Sequence, residues 1–320
     1  MYYPLPYYTR FAQVFGYNSF VVKSWWEHKR FSSIQEAKIF FEENQEIIKA
    51  KPFIKWVGGK RQLIAQFQDL FPTDFNNYHE PFLGGGAVFF NLQKKQSYLS
   101  DLNGDLINLY QVIQKHPKKL IAFLESEEIS KDRFLEMRLW DREDNYEKKY
   151  SNIERAGRFM YLNRLGFNGL YRVNSKGQFN VPYGAHNNPD IVQRDNILAA
   201  SKLLNETGAI IKHQSFEKVV EQSEKDDFVY LDPPYDVLSE TSNFTSYIKE
   251  DCGTDLQYNL AQVCKDLDKK GVNFMMSNHD TPLIRELYKD FTIHIVKAKR
   301  SVNSKGTGRG KVDEVVVINY

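Results

Sequence analysis

A chain of 320 residues with a formal net charge of +2 has room for one large domain with insertions, and it has no whole-molecule field to draw a polyanion. Its 42% hydrophobic and 14% aromatic residues suffice for a packed core, and no apolar run reaches bilayer-spanning length. The start carries no secretory pattern, so a soluble cytoplasmic protein without membrane partners is expected. Cys252 and Cys264 offer neither metal-ligand spacing nor a disulfide framework, and no metal is expected.

In chain order, residues 1–50 stand apart. "MYYPLPYYTRFAQVFGYNSFVVKSWWEHKR" is rich in aromatics and holds a strand-like run, Ser19–Lys23. A helix signature follows: Ser33 caps, Glu36 stands three residues on, and Ile34, Ala37, Phe40 and Phe41 share a face. This reads as an appendage, and both packing and an added binding surface remain open for it. From residue 51, strands alternate with helices. "NYHEPFLGGGAVFFNL" gives a short segment, a glycine loop and a helix start. "QSYLSDLNGDLINLYQVIQ" gives a strand with an acidic end, then a helix with Ile107, Tyr110 and Ile113 on one face.

Residues 120–206 differ in texture. They are charged and helical at first, then turn into "YLNRLGFNGLYRVNSKGQFNVPYG", where Gly, Asn, Arg and aromatics interleave as in a reading surface. Beyond them, "DFVYLDPPY" and "GVNFMMSNHD" read as buried strands, and "FTIHIVKAKR" with "VDEVVVINY" as a terminal antiparallel pair. The expected fold is α/β: a doubly wound, mostly parallel, Rossmann-like sheet with an antiparallel edge. Residues 51–119 and 207–320 would form the catalytic domain, with 120–206 as an inserted, mainly helical recognition domain.

Three stretches carry chemistry. Gly84–Gly86 stand between an apolar segment and a helix, as a close backbone approach to a ligand or a simple tight turn requires. Asp101, at the tip of the next strand, is placed to bind ribose hydroxyls or to cap the following helix. "FIKWVGGKRQLI" sets Trp56 and lysines around Gly58 and Gly59, as either a ligand wrap or a buried indole with solvated lysines. The third stretch is Asp232-Pro233-Pro234-Tyr235. A nucleobase amine is a poor nucleophile because its lone pair is delocalised. A carboxylate and a carbonyl that each accept one N–H would free that lone pair, prolines would fix the carbonyl, and Tyr235 would offer a stacking face.

Together "FIKWVGGKRQLI", "PFLGGGAVFFNL", "SDLNGDLI", "YLNRLGFNGLYRVNSKGQFNVPYG", "DPPYDVLSETSNFTSY" and "SNHDTPLIRELY" resemble the Dam family of DNA adenine-N6 methyltransferases, in its alpha-group order, from about Pro52 to the C-terminus. The resemblance implies S-adenosylmethionine as cofactor and N6 methylation of a flipped-out adenine in duplex GATC. On matching positions it implies that Trp56, Lys60, Phe82, Gly84, Gly86, Asp101 and Asp232 surround the cofactor, and that Asp232, Pro233 and Tyr235 hold the adenine. It further implies that Phe167 wedges into the duplex beside Asn168, that Leu170, Arg172 and Pro182 meet base edges, that Lys55 reaches the first guanine, and that Asn174 belongs to the DNA-contacting set. Double-stranded DNA is the expected partner, and a cognate restriction endonuclease a candidate one.

After "NVPYG" the chain reads "AHNNPD", where basic and aromatic residues are usual in the family. The run Lys297–Lys311, with six Lys or Arg and no acid, is expected to compensate as a mobile phosphate-binding loop, or else to be a solvated hairpin loop. A nicotinamide-dependent dehydrogenase lacks its GxGxxG here. A noncatalytic duplex binder has no use for a cofactor loop with DPPY. A methyltransferase acting on RNA or protein amines is the nearest rival chemically.

Overall fold

A computed structural model describes residues 50–236, 250–299 and 311–320. The strand-like run Ser19–Lys23, the Ser33 helix signature and the centre of the basic run, 300–310, lie outside the described residues.

Seven strands form one sheet: β1 (Tyr78–Glu80), β2 (Ser97–Asp101), β3 (Ile210–His213), β4 (Phe228–Leu231), β5 (Asn273–His279), β6 (Thr292–Lys299) and β7 (Lys311–Ile318). Their spatial order is β3-β2-β1-β4-β5-β7-β6. The first five are parallel, and β7 runs antiparallel to β5 and β6. The doubly wound sheet with an antiparallel edge is therefore as the alternation of elements indicates. One expectation is corrected at its ends: Lys297–Lys299 is strand, paired in register with Lys311–Asp313, so the basic run begins and ends inside the terminal hairpin.

The central strands β4 and β5 are apolar runs buried on both faces, and alternate residues of β4, β5 and β7 feed two cores. On β4, Phe228 and Tyr230 enter one cluster while Val229 and Leu231 enter the other. On β5, Met275 faces the first and Phe274 and Met276 the second; on β7, Val316 and Ile318 oppose Val315 and Val317. Each buried Val, Leu, Phe or Met contributes roughly 1.5–3 kcal/mol relative to exposure.

Eleven α-helices lie among the described residues: α1 (Ile64–Phe67), α2 (Ala87–Leu92), α3 (Gly104–Lys115), α4 (Pro117–Ser126), α5 (Lys131–Leu139), α6 (Tyr146–Lys149), α7 (Asn152–Leu165), α8 (Arg194–Glu206), α9 (Lys218–Gln222), α10 (Glu250–Lys269) and α11 (Pro282–Leu287). The start of α3 removes the helix-cap reading of Asp101. Asn103 is the cap, its side chain accepting from Leu106 N at 3.0 Å. α7 begins with a reciprocal Ser151–Glu154 capping box and packs on α3 and α4. Segment 120–206 starts inside α4, and its helices contribute Leu124, Phe134, Ala156, Phe159 and Leu204 to the same buried cluster as Tyr78 and Leu99 of the sheet.

β1 and β4 are adjacent, yet the chain leaves β1 toward β2 on one side and β4 toward β5 on the other. In open parallel sheets, ligands bind beyond the carboxyl ends of strands at such a reversal. The glycine loop follows β1, and Asp232 follows β4.

Candidate active site

At the end of β1, Glu80 is fully buried, and its Oε2 accepts from Tyr78 Oη at 2.8 Å and from Phe89 N at 3.0 Å. It thereby ties the strand to the first turn of α2. Burial pushes its carboxyl up to about 8, against those two hydrogen bonds, and the charges of Asp232 and Asp101 push the same way. The glycine loop between them needs its residue type: Gly84 and Gly86 have φ of +47° and +65°. A Cβ on Gly84 would lie 2.6 Å from the Trp56 ring, and one on Gly86 2.7 Å from Tyr110 Oη. The indole of Trp56 thus lies flush on the glycine turn, and Tyr110 Oη donates to the Gly84 carbonyl at 3.2 Å.

Asp101, at the tip of β2, accepts from Gly84 N at 3.0 Å and from Asn103 N at 2.9 Å. Burial raises its pKa, and these backbone donors oppose the rise. A carboxylate has about four acceptor positions, so it keeps capacity for a ligand's hydroxyls. Phe82 is half-buried and stacks on Phe216 at 5.1 Å, fixing the far side of the loop.

Asp232 lies immediately past β4. Burial pushes its carboxyl upward, Lys60 pulls it down, and Glu314 pushes it up again. Lys60, nearly inaccessible itself, places Nζ 2.8 Å from Asp232 Oδ1, 2.7 Å from the Gly58 carbonyl, and 4.5 Å from the centre of the Tyr235 ring. The resemblance set Lys60 with Asp232 around the cofactor; the structure brings Lys60 to Asp232 and to the Tyr235 ring. Tyr235 is itself pinned, its Oη donating to Glu314 Oε2 at 2.9 Å and its ring meeting His279 edge-on at 4.8 Å.

The two prolines are held from behind. Gln257 Nε2 donates to the Pro234 carbonyl at 3.0 Å, and Asn278 Nδ2 donates to Gln257 Oε1 at 2.9 Å. Asp236 N donates to Asn278 Oδ1, His279 Nδ1 donates to the Asp236 carbonyl, and Thr281 Oγ1 donates to the Asp236 carboxylate. The Pro234 carbonyl is thus engaged by this support, while Asp232 is engaged by Lys60.

The recognition segment emerges from α7. Phe167 is half exposed, with Asn168 and Pro182 exposed beside it, and Phe167 N donates to the Pro182 carbonyl at 2.9 Å. Asn168 and Gly169 take φ of +55° and +67°, which turns the chain sharply before half-buried Leu170. Arg172 is exposed, and its Nε donates to Asn180 Oδ1 at 2.7 Å, which orients the guanidinium. Asn174 is engaged in its own hairpin turn: Oδ1 accepts from Lys176 N and Gln178 N, and Nδ2 donates to Gln178 Oε1. Phe179 N donates to Asp141 Oδ2 at 2.7 Å, which also pairs with buried Arg158 at 2.7 Å and so anchors the hairpin to α7.

Glu80, Asn163, Asn180, Gln257 and Asn278 were not singled out from sequence. Glu80 had a readable signal, an acid ending an apolar run just before a glycine loop. Asn163 had none. It is fully buried, its Oδ1 accepts from Lys55 N at 3.0 Å, and its Nδ2 donates to the Lys55 and Gly169 carbonyls at 2.9 Å each. The side chain of Lys55 lies on Gly169, where a Cβ would come within 2.3 Å of Lys55 Cδ.

The family described as D12 class N6 adenine-specific DNA methyltransferase matches residues 56–302. The chain belongs to this family. A protein named Type II methyltransferase M1.LlaDCHI, from Lactococcus lactis subsp. cremoris, is 47% identical over 275 residues, covering 85% of this chain and 96% of its own. Type II methyltransferase M.MjaIII from Methanocaldococcus jannaschii is 39% identical, covering 85% of this chain and its own full length. The DNA adenine methylase of Escherichia coli (strain K12) is 34% identical, covering 84% and 95%. The methyltransferase therefore acts on adenine in DNA, and among its described residues no helix is long and apolar enough to cross a membrane.

Proposed function

We propose that the methyltransferase takes its methyl group from S-adenosylmethionine and transfers it to N6 of an adenine turned out of duplex DNA, at GATC. The carrying observation is that the glycine turn, Asp101 and Asp232 converge at the sheet's reversal, so a donor lying on β1 and β2 would end beside the acceptors of β4. The donor set suits a nucleoside: the Asp101 carboxylate, tied to the glycine turn by Gly84 N, keeps acceptor capacity for ribose hydroxyls. S-adenosylmethionine, when bound, supplies a methyl group activated by its sulfonium.

The protein's part is positioning. Asp232 and the Pro233 carbonyl would each accept one N–H of the amine, drawing the nitrogen toward tetrahedral geometry and exposing its lone pair. Asp232 need not remove a proton before attack, because an arylamine is a very weak acid; the proton leaves afterwards. Lys60 must first give up Asp232 and the Tyr235 face, since it holds both. The Asn278–Gln257 support keeps the prolines fixed while this exchange occurs, so little reorganisation accompanies the reaction. In the recognition segment, Phe167 would fill the space the adenine leaves. Arg172, oriented by Asn180, would meet guanine O6 and N7, with Lys55, Leu170 and Pro182 nearby.

Labelled-methyl transfer tests this directly. A duplex with one GATC should accept label and a matched duplex with GTAC should not. Equal labelling would remove the site assignment. No labelling of either would remove the proposed donor and chemistry.

A further inference from the structure

Aromatic rings join the glycine turn to the hairpin that carries Arg172. Trp56 lies on Gly84 and Gly85, so a ligand entering the glycine turn meets its indole. Trp56 also stacks with Tyr171 at 5.7 Å and 20°, and Tyr171 stacks with Phe159 of α7 at 4.6 Å and 24°. Tyr171 directly precedes Arg172 and also packs on Phe179 at 5.7 Å, across the hairpin. The Asn103 side chain, two residues past Asp101, lies close to the Tyr171 hydroxyl. A second, independent link joins the same two segments: Asn163 holds both Lys55 and Gly169.

We propose that Tyr171 is a positioning residue that couples the two ligands: a cofactor packed against Trp56 at the glycine turn steadies the seat of Tyr171 and so the placement of Arg172 on its guanine. This rests on the reading of the two sites given above. Discrimination between duplexes then depends on whether the cofactor is present. By thermodynamic reciprocity, the cognate duplex must tighten cofactor binding by the same factor as the cofactor tightens the duplex.

That factor is measurable apart from either affinity. Binding of S-adenosylhomocysteine is measured by calorimetry with and without a GATC duplex, and duplex binding with and without S-adenosylhomocysteine, for wild type, Tyr171→Phe, Tyr171→Leu and Tyr171→Met. Wild type and Tyr171→Phe, which keeps the stack, should show a coupling factor above about 5, within the usual range. Tyr171→Leu and Tyr171→Met, which lack a planar ring, should bring it below about 2. Met fills the space without a large cavity and serves if Leu fails to fold. Methyl transfer should show a raised KM for GATC duplex and a lesser change in kcat. A merely structural role would lower both affinities and leave their coupling intact, and that result overturns the proposal. A wild-type protein that binds S-adenosylhomocysteine but prefers no duplex overturns the site-recognition reading, and the coupling with it. A wild type that prefers GATC equally with and without S-adenosylhomocysteine overturns the coupling alone.

Discussion

Asp232 holds a carboxylate that burial pushes above its ordinary range while Lys60 pulls it back. Removing Lys60 leaves burial unopposed, so Lys60→Met should move the acid limb of kcat/KM to higher pH; a limb that stays put would mean another group sets it. Asp232→Asn keeps the side chain's shape and loses the charge. It should reduce turnover about a hundredfold or more while thermal unfolding and S-adenosylhomocysteine binding persist. Wild-type turnover in that variant would remove Asp232 from the chemistry. The motif announces Asp232 through its prolines, but not that a buried lysine already occupies it. Lys60 lies 172 positions away in sequence, and only the fold brings the two within 2.8 Å.

At the scale of the element, the junction of β1 and α2 turns on Glu80. Its carboxyl, raised to about 8 by burial, keeps a proton in the folded state that the unfolded chain has already released. Stability should therefore fall as pH rises from roughly 5 toward 8, because over that window the folded state binds more protons. Glu80→Gln, neutral throughout, should flatten that part of the melting-temperature profile; parallel profiles would refute the assignment. In the hairpin, Arg172→Ala should cost roughly 1–3 kcal/mol of discrimination at the contacted base pair, read as the ratio of kcat/KM for GATC and a duplex changed there. Asn180→Ala, which frees the guanidinium to wander, should lower the same ratio by less. An unchanged ratio in both would move recognition elsewhere.

For the whole molecule, a ligand that binds only the folded state stabilises it by mass action. S-adenosylhomocysteine at a hundredfold excess over Kd should add about 2.7 kcal/mol, a rise of roughly 5 °C or more in melting temperature. Asp101→Ala should lose most of that rise in a scan at equal ligand concentration. A full rise in the variant would leave Asp101 as a loop tie alone, which its bonds to Gly84 and Asn103 already make it.

Six of the seven strands were legible without coordinates because their signals are local; β3 (Ile210–His213), short and mostly exposed, was not singled out. Four-residue runs such as Phe228–Leu231, an acid at the end of Ser97–Asp101, and glycines between strand and helix each report their own conformation. The order of those runs along the chain also implied the doubly wound plan, and the long motifs carried the family resemblance. What sequence could not decide depends on pairing across distance. Asn103 rather than Asp101 caps α3, because the Asp101 carboxylate is taken by backbone donors of two loops. Asn163 joins Lys55 to Gly169, and Trp56 meets Tyr171, between segments more than a hundred residues apart. Local propensity is blind to such contacts: a buried asparagine and a stacked tyrosine look like any others until packing brings their partners to them.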